Sequence, residues 1–386
     1  MNTEPFYPKK QDLWTKNHFL ISTANLFLYV SMYMLIPALL MWMQSDRVYS
    51  DGEIYTVVVL FGVGLFLPGV FNSFLIDHFK RKNVYTWSLL GLIGTTYLFS
   101  MATSFAHVAT LRLLQGVFFS LGSMTLGSTL AIDATSSSSR SGACISCAWS
   151  GRIGMFLGIA AGMYLFRNND FLTVAYGSML CCLLSLIQVS FIKLAFRAPL
   201  EPSIVSLDRF LLPRALYPAV ILLPFAVTLG IITAHVFSEC FYFMMFIGGV
   251  LALVIYRMTI HRYSIQTLML LGILSLLSGS SMMLLGNNPF NEWGTSVLIG
   301  TGIALAASCI YLIMIKVPMH CERGTSNNTY QLFWEIGILA GILIDSAYNL
   351  SNSMVYITSL CLCALVILIY ELSLHKWYNK QLKNNH

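Results

Sequence analysis

The chain has 386 residues, of which 57% are hydrophobic and only 10% are charged, and its net charge is +6. A soluble domain carries about 25% charged residues, and a mean hydropathy of +0.72 is far above what such a domain shows. The composition therefore excludes a water-soluble enzyme or nucleic-acid-binding domain and indicates a protein that lies in a lipid bilayer.

Twelve apolar stretches follow one another along the chain. A membrane span needs roughly 20 apolar residues to cover about 30 Å of hydrocarbon, and its backbone groups must bond within the segment, which predicts helices. The fold class is therefore an all-α membrane protein with twelve transmembrane helices in two six-helix bundles. The predicted spans are 17–43, 53–76, 84–104, 106–131, 141–166, 170–195, 215–237, 239–257, 263–286, 293–316, 326–350 and 353–373.

The basic residues are distributed unequally between the two sides of these spans. Only Arg47 and Arg167 lie in the segments on one side, and Arg112 and Arg152 fall inside spans. The other 18 of the 22 basic residues lie on the side of the termini: Lys9, Lys10, Lys16, Lys80, Arg81, Lys82, Arg140, Lys193, Arg197, Arg209, Arg214, Arg257, Arg262, Lys316, Arg323, Lys376, Lys380 and Lys383. The positive-inside rule predicts that both termini are cytoplasmic, in a multi-pass protein of the inner cell membrane. The same asymmetry explains the net charge without a nucleic-acid partner.

This orientation is tested by fusing a phosphatase that is active only in the periplasm after His386. We expect no phosphatase activity, because the positive-inside rule places that terminus in the cytoplasm. High activity would reverse the orientation of every span.

The longest polar gap after the first span, residues 196–214, divides the chain into two halves of six spans. It contains Pro199, Pro202 and Pro213, as a linker does. We expect an N-terminal bundle at 1–195, a cytoplasmic linker at 196–214 and a C-terminal bundle at 215–386. An Arg followed by Gly and small residues after the fourth span of each half, at Arg140 and at Arg323, suggests a duplicated unit.

The first span places Asn25, Tyr29 and Tyr33 on one face. The loop after the second span, residues 73–82, reads SFLIDHFKRK. In it, Asp77 is expected to meet the start of the eleventh span, where free N–H groups attract a carboxylate. Arg81 is expected to pair with Asp133 at the end of the fourth span. These three residues would form a cytoplasmic gate, the alternative being a loop that only determines topology.

The fourth span places Arg112, Gln115 and Phe119 on one face. An arginine within the membrane is costly and points to a cavity or a partner; the alternative is an arginine that reaches the outer interface. The fifth span carries a second arginine, Arg152, whose two interpretations are a ligand for an anion and half of a buried ion pair.

Glycines recur at Gly154, Gly158 and Gly162 in the same span. Small residues at this spacing let two helices approach closely, and we expect them to pack against Gly248 and Gly249 of the eighth span.

The eleventh span contributes Gln331, Trp334 and Glu335. Counting residues from the ends of the spans at 1.5 Å per residue places Glu335, Arg112 and Arg152 near the middle of the membrane. The three groups are therefore expected to converge at a central site.

Three of these motifs resemble the major facilitator superfamily. The loop 73–82 is similar to its G-x-L-x-D-R-x-G-R-R element, with Asp77 at the acidic position. The run from Arg112 to Gly116 looks like its R-x-x-Q-G element, and the glycines of the fifth span resemble the G-x-x-x-G-P-x-x-G element of its antiporters.

This resemblance implies a secondary active transporter, most similar to bacterial drug and sugar-efflux proton antiporters. The implied function is proton-coupled efflux of a small organic solute by a monomer, with Glu335 and Arg112 in proton coupling. Proton-coupled or facilitative uptake of an organic anion or zwitterion remains an alternative.

A polytopic acyl- or glycosyltransferase is a third class of function. It would need large external loops with His or Asp clusters, and the external loops here are short. Cys144 and Cys147 read as packing residues on a helix, and the chain has no G-x-x-x-x-G-K-[ST] nucleotide motif. No metal, cofactor or enzymatic activity is therefore expected.

Overall fold

The computed structural model describes residues 13–45, 49–102, 104–136, 139–193, 204–206, 210–236, 238–260, 262–286, 288–319 and 322–384. Most of the predicted linker, together with Lys9 and Lys10, lies outside these residues. The described part of the chain is helical and contains no strand.

Twelve long helices occur in the described residues, one for each predicted span. They are α1 Lys16–Ser45, α2 Asp51–Phe66, α3 Arg81–Leu98, α4 Phe105–Thr125, α5 Arg140–Asn168, α6 Phe171–Ser190, α7 Pro213–His235, α8 Glu239–Thr259, α9 Ile265–Leu284, α10 Pro289–Lys316, α11 Arg323–Tyr348 and α12 Asn352–Ile369. The segment Tyr370–Leu374 connects α12 to the terminal helix α13, His375–Asn384.

Two helices change their geometry before they end. The helix α2 passes through the 3-10 turn Leu67–Phe71, where Pro68 lacks the N–H that an α-helix needs, and continues as Asn72–His78. The helix α4 passes through a π turn at Leu126–Leu130 and ends at Asp133.

Ten of these helices are long and apolar enough to cross a membrane by themselves. The helices α3 and α11 are the other two. The first turn of α3 carries Arg81 and Lys82, and the buried face of α11 is rich in polar residues. A polar helix is stable in a bilayer when other helices cover it, so the polarity of α11 is explained by its burial between the halves.

Several helices begin directly after a capping residue in the preceding loop. Ser104, Asp170, Ser238, Ser264 and Ser351 each accept a hydrogen bond from a backbone N–H in the first turn that follows. The bonds from Thr173 also hold the pKa of the Asp170 carboxyl below its usual value.

The helices pack first within each half and then across the middle. In the first half, α1 packs against α5 and α6, and α2 packs against α4; in the second, α7 packs against α11, and α10 against α8 and α9. The two halves meet where α2 packs against α11 and α5 against α8 and α10. The end of the molecule where α1, α7 and α11 begin is called the basic end here, and the opposite end the far end.

The glycine stripe of α5 packs tightly, as predicted, but against a different helix. A Cβ at Gly154, Gly158 or Gly162 would lie 2.5, 2.7 or 2.2 Å from a backbone oxygen of α1. The prediction that the stripe contacts Gly248 and Gly249 was therefore wrong. Spacing identifies a close helix contact but does not identify the partner helix.

Candidate functional site

A narrow cavity lies between the two halves, near the middle of α1, α5 and α11. The space between its atoms, including the part that is open to solvent, is about 370 Å³. The residues that line it are Asn25, Tyr29, Ala148, Gly151, Arg152, Met155, Asn327, Tyr330, Gln331 and Trp334. Five of the ten predicted substrate-binding residues, Asn25, Tyr29, Arg152, Gln331 and Trp334, are therefore on its wall.

Arg152 is the charged residue of this wall, and it is only 5% exposed. Its Nη1 donates to the Ser308 hydroxyl at 2.7 Å, and its Nε and Nη2 donate to the Tyr330 hydroxyl at 3.2 and 3.1 Å. Among the described residues no carboxylate forms a salt bridge with it. The described residues therefore do not form the buried ion pair that was one of the two interpretations of Arg152.

Aromatic rings surround the guanidinium in place of an acid. The Arg152 Cζ lies 5.2 Å from the ring centre of Trp149, 5.7 Å from that of Tyr311 and 5.5 Å from that of Tyr330. Each contact contributes roughly 0.5–2 kcal/mol, depending on how dry it is. The rings stabilise the cation without neutralising it, so a buried positive charge is left facing the cavity.

Three amide side chains of the cavity wall have polar atoms without a partner among the described residues. These buried atoms are Oδ1 of Asn25, Nδ2 of Asn327 and Oε1 of Gln331. The rest of the Asn25 amide is fixed, because its Nδ2 donates to the Cys147 carbonyl at 2.9 Å. An unpartnered buried amide costs about 1–3 kcal/mol, which a polar solute in the cavity would recover.

Glu335 lies behind this wall and connects the two halves. Its Oε1 accepts a hydrogen bond of 2.8 Å from the Tyr33 hydroxyl of α1, and the residue is 4% exposed. No described cation forms a salt bridge with it. Tyr29, which stacks on Tyr33 at 6.0 Å, is within electrostatic reach of both Glu335 and Arg152.

Arg112 belongs to a separate network within the first half. Its Nη1 donates to the Gln115 side chain at 3.0 Å, and Gln115 donates to the Thr96 hydroxyl at 3.1 Å. The guanidinium lies 4.4 Å from the ring centre of Phe61. The expected convergence of Arg112 with Glu335 is not seen among the described contacts.

Phe119 connects this network to the cavity. Its ring contacts Phe61 at 6.3 Å and meets Tyr29 edge-on at 5.4 Å. Of the predicted residues of the fourth span, Phe119 therefore comes closest to the candidate site.

The predicted gate residues meet at the basic end. Arg81 forms a salt bridge with Asp133, as predicted, and its Nη2 lies 3.7 Å from the Asp77 carboxylate. All three belong to the first half, so this salt bridge joins α3 to α2 and α4 and does not itself join the halves.

Contacts between α4 and α11 bring the halves together at this end. A Cβ at Gly127, in the π turn of α4, would lie 2.9 Å from the Asn327 amide nitrogen and 3.1 Å from that of Gln331. A Cβ at Gly324 would lie 2.7 Å from the Ser128 carbonyl oxygen. The π turn therefore lies directly against the polar face of α11.

The site includes residues that sequence reasoning did not select. Asn327 follows the helical spacing of Tyr330 and Trp334 and was available to a pattern search on the eleventh span. Ser308 and Tyr311 lie on α10, an almost wholly apolar helix, and nothing in their sequence context distinguishes them from packing residues.

Comparisons with known proteins identify the class to which this arrangement belongs. The sequence profile of the Major Facilitator Superfamily matches residues 21–356. The chain therefore belongs to the major facilitator superfamily, and its fold is that of this family. A search of curated protein sequences finds no significant match.

Solved structures show the same fold in transporters. The human organic anion transporter MFSD10 (TETRAN) is similar with a TM-score of 0.64 and 15% identity, covering 92% of this chain and 98% of its own. A single-residue mutant of the nucleoside transporter NupG is similar with a TM-score of 0.62 and 13% identity, at the same coverage. Family and fold together support secondary transport as the function of this membrane protein.

Proposed function

We propose that this chain exchanges a zwitterionic organic solute for protons by alternating access, in the direction of efflux. The observation that carries this proposal is a pair of buried charges, Arg152 and Glu335, neither of which has an oppositely charged partner among the described residues. Arg152 is on the wall of the cavity between the halves, and Glu335 lies behind that wall, next to the lining residue Trp334 along α11.

Arg152, which has no acidic partner among the described residues, defines one end of the solute. Holding a charge inside the membrane without a partner is expensive, and a carboxylate, sulfonate or phosphate on the solute would supply the missing partner at two or more N–H donors. Tyr29, Tyr330 and Trp334 offer ring faces for an aromatic body, and the open amide atoms offer hydrogen bonds. The similar structure of MFSD10 is that of an organic anion transporter, which supports an acidic group on the solute.

Glu335 would bind the cationic end of the solute and couple solute movement to proton movement. A cationic group of the solute and a proton would compete for the same carboxylate, so the binding of one would release the other. This competition is the requirement for exchange. In the structure the Tyr33 hydroxyl donates a hydrogen bond to this carboxylate. The hydroxyl would move away as the solute enters.

A purely anionic solute would give a second function, uptake together with a proton. An anion at Arg152 repels the ionised Glu335, so it would favour protonation of the carboxylate instead of competing with it. This alternative is supported by the lack of an acidic partner for Arg152 among the described residues, since an anion would supply one.

The remaining assignments follow from the sequence. We place the N-terminal bundle at 1–195, the linker at 196–214 and the C-terminal bundle at 215–386, in a monomer of the inner membrane with cytoplasmic termini. The basic end is then the cytoplasmic end, and Asp77, Arg81 and Asp133 form its gate.

Replacing Asp77 with Asn tests this gate. We expect the halves to separate more readily at the basic end if Asp77 faces the first N–H groups of α11 as proposed, because a carboxylate there contributes about 1 kcal/mol, a roughly fivefold change in an equilibrium. Labelling of cysteines placed along α4 would report the change. His78→Gln, one residue away, is the control and should label as the wild type does; unchanged labelling and transport in Asp77→Asn would reduce Asp77 to a determinant of topology.

Three compounds that share an indole ring test the proposed solute class. Tryptophan is zwitterionic, indole-3-acetate is anionic and tryptamine is cationic. Affinities measured by calorimetry on the purified protein therefore show how the charged groups contribute to binding while the ring stays the same. We expect tryptophan to bind most tightly. Tighter binding of tryptamine than of either compound with a carboxylate would contradict the role of Arg152, and tightest binding of indole-3-acetate would favour the uptake alternative.

A further inference from the structure

A second buried pair of titratable residues lies at the far end of the molecule, away from the cavity. His235 is the last residue of α7, and its Nδ1 lies 3.2 Å from the Asp345 carboxylate of α11. Its Nε2 lies 2.7 Å from the amide oxygen of Asn352, the first residue of α12. The side chains of His235 and Asp345 are only 20% and 12% exposed.

Both ring nitrogens of His235 therefore face oxygen atoms. A neutral imidazole has one N–H, whereas an imidazolium has two and carries the positive charge that the Asp345 carboxylate attracts. The end of α7 adds a partial negative charge that also favours the cation. The contact with Asp345 is at ion-pair distance but is not oriented as a hydrogen bond, so its strength depends mainly on the charge of the imidazole.

This pair lies beside a contact between the two halves. Ser346, the residue after Asp345, accepts a hydrogen bond through its carbonyl oxygen from the Tyr55 hydroxyl of α2. A Cβ at Gly62, two turns further along α2, would lie 2.9 Å from the Leu339 side chain of α11. The end of α11 is thus held by α7 and α12 on one side and meets α2 on the other.

We propose that His235, Asp345 and Asn352 form a proton-binding site that closes the far end of the transporter. With a proton bound, the imidazolium holds the end of α11 where the Ser346 carbonyl meets Tyr55. Without the proton, the imidazole releases Asp345 or Asn352, and the far end opens more readily. This site is separate from Glu335 and does not depend on the identity of the solute.

The surrounding titratable groups are compatible with a cation at His235. Those on the segments packed around the pair are Glu239 and Tyr242 of α8, Asp51 and Tyr55 of α2, Tyr348 of α11 and Tyr356 of α12. These groups are acids and phenols, so none of them repels an imidazolium. Histidine is the side chain whose ordinary titration falls between pH 5 and 8.

The test is a distance between spin labels at the far end, measured by pulsed electron paramagnetic resonance from about pH 5 to 8.5. Labels on Gly52→Cys and Tyr348→Cys report the ends of α2 and α11; a Cβ at Gly52 meets nothing within 4 Å, and Tyr348 is 76% exposed. The accessible native cysteines are replaced first. We expect the population of long distances to rise with pH in a single transition.

His235→Gln should abolish this transition, because glutamine cannot bind the proton. His107→Gln removes an exposed histidine at the start of α4, also at the far end, and should leave the transition unchanged. The exposed position Asn352 allows a gain-of-function variant, Asn352→Asp, whose second carboxylate should move the transition midpoint upward by about 1 pH unit. A wild type without a transition, a transition that persists in His235→Gln, or an unmoved midpoint in a folded Asn352→Asp protein would each overturn the proposal.

Discussion

Glu335→Gln is expected to abolish accumulation driven by a pH gradient while substrate exchange across the membrane persists. Glutamine preserves the shape of the side chain and can still accept the hydrogen bond from Tyr33, but it cannot carry the proton. Counterflow in proteoliposomes, with and without a pH gradient, separates the two activities. Accumulation at the wild-type level in the purified variant would exclude Glu335 from coupling.

Whether Glu335→Gln folds is a second test of the role of this residue. Breaking a permanent buried ion pair costs about 3–5 kcal/mol, but Glu335 has no cationic partner among the described residues, so we expect the variant to remain folded. A protein that fails to fold would instead support a structural role. Glu292→Gln, which removes a carboxylate in the first turn of α10, is the matched control and should transport normally.

Arg152→Gln is expected to lower the affinity for a carboxylate-bearing solute by roughly tenfold to a hundredfold, since a charge-assisted contact contributes about 1.5–3 kcal/mol. Stability should fall only modestly, because the variant loses the contacts with Ser308, Tyr330 and the rings but also removes a charge whose burial in the membrane is costly. Arg152→Lys keeps the charge but not the planar fork, and it should retain part of the affinity.

The control for Arg152 is another arginine of the same helix. Arg167→Gln lies in the last turn of α5, at the far end, and should bind as the wild type does. Calorimetric titration measures the affinity, and thermal unfolding measures the stability. Strong destabilisation with unchanged affinity would show that Arg152 is a structural residue.

The course of the helices could be predicted from the sequence because hydropathy and charge report directly on the bilayer. Each predicted span corresponds to a helix, including α3 and α11, which are too polar to qualify by apolarity alone. The sequence gives no indication of the π turn at Leu126–Leu130. We attribute this to the packing of α4 against α11, on which the departure from α-helical geometry depends.

The candidate site was predicted less completely, for a geometric reason. Counting residues gives the depth of a group in the membrane, and it placed Arg112, Arg152 and Glu335 at similar depths. Depth does not give the direction in which a side chain points, and Arg112 turned out to bond Gln115 within its own half. The partners of Arg152 come from α10 and α11, more than 150 positions away along the chain, and no local pattern indicates them.

The most direct test of proton exchange is the change in proton binding when the solute binds. Tryptophan is added to the purified protein in weakly buffered detergent solution, and a pH indicator follows the protons. Exchange requires that the solute and the proton compete for Glu335, so the wild type should release protons, and Glu335→Gln should bind tryptophan without releasing any. Tryptophan binding that releases no protons from the wild type, or that takes protons up, would contradict the proposed exchange.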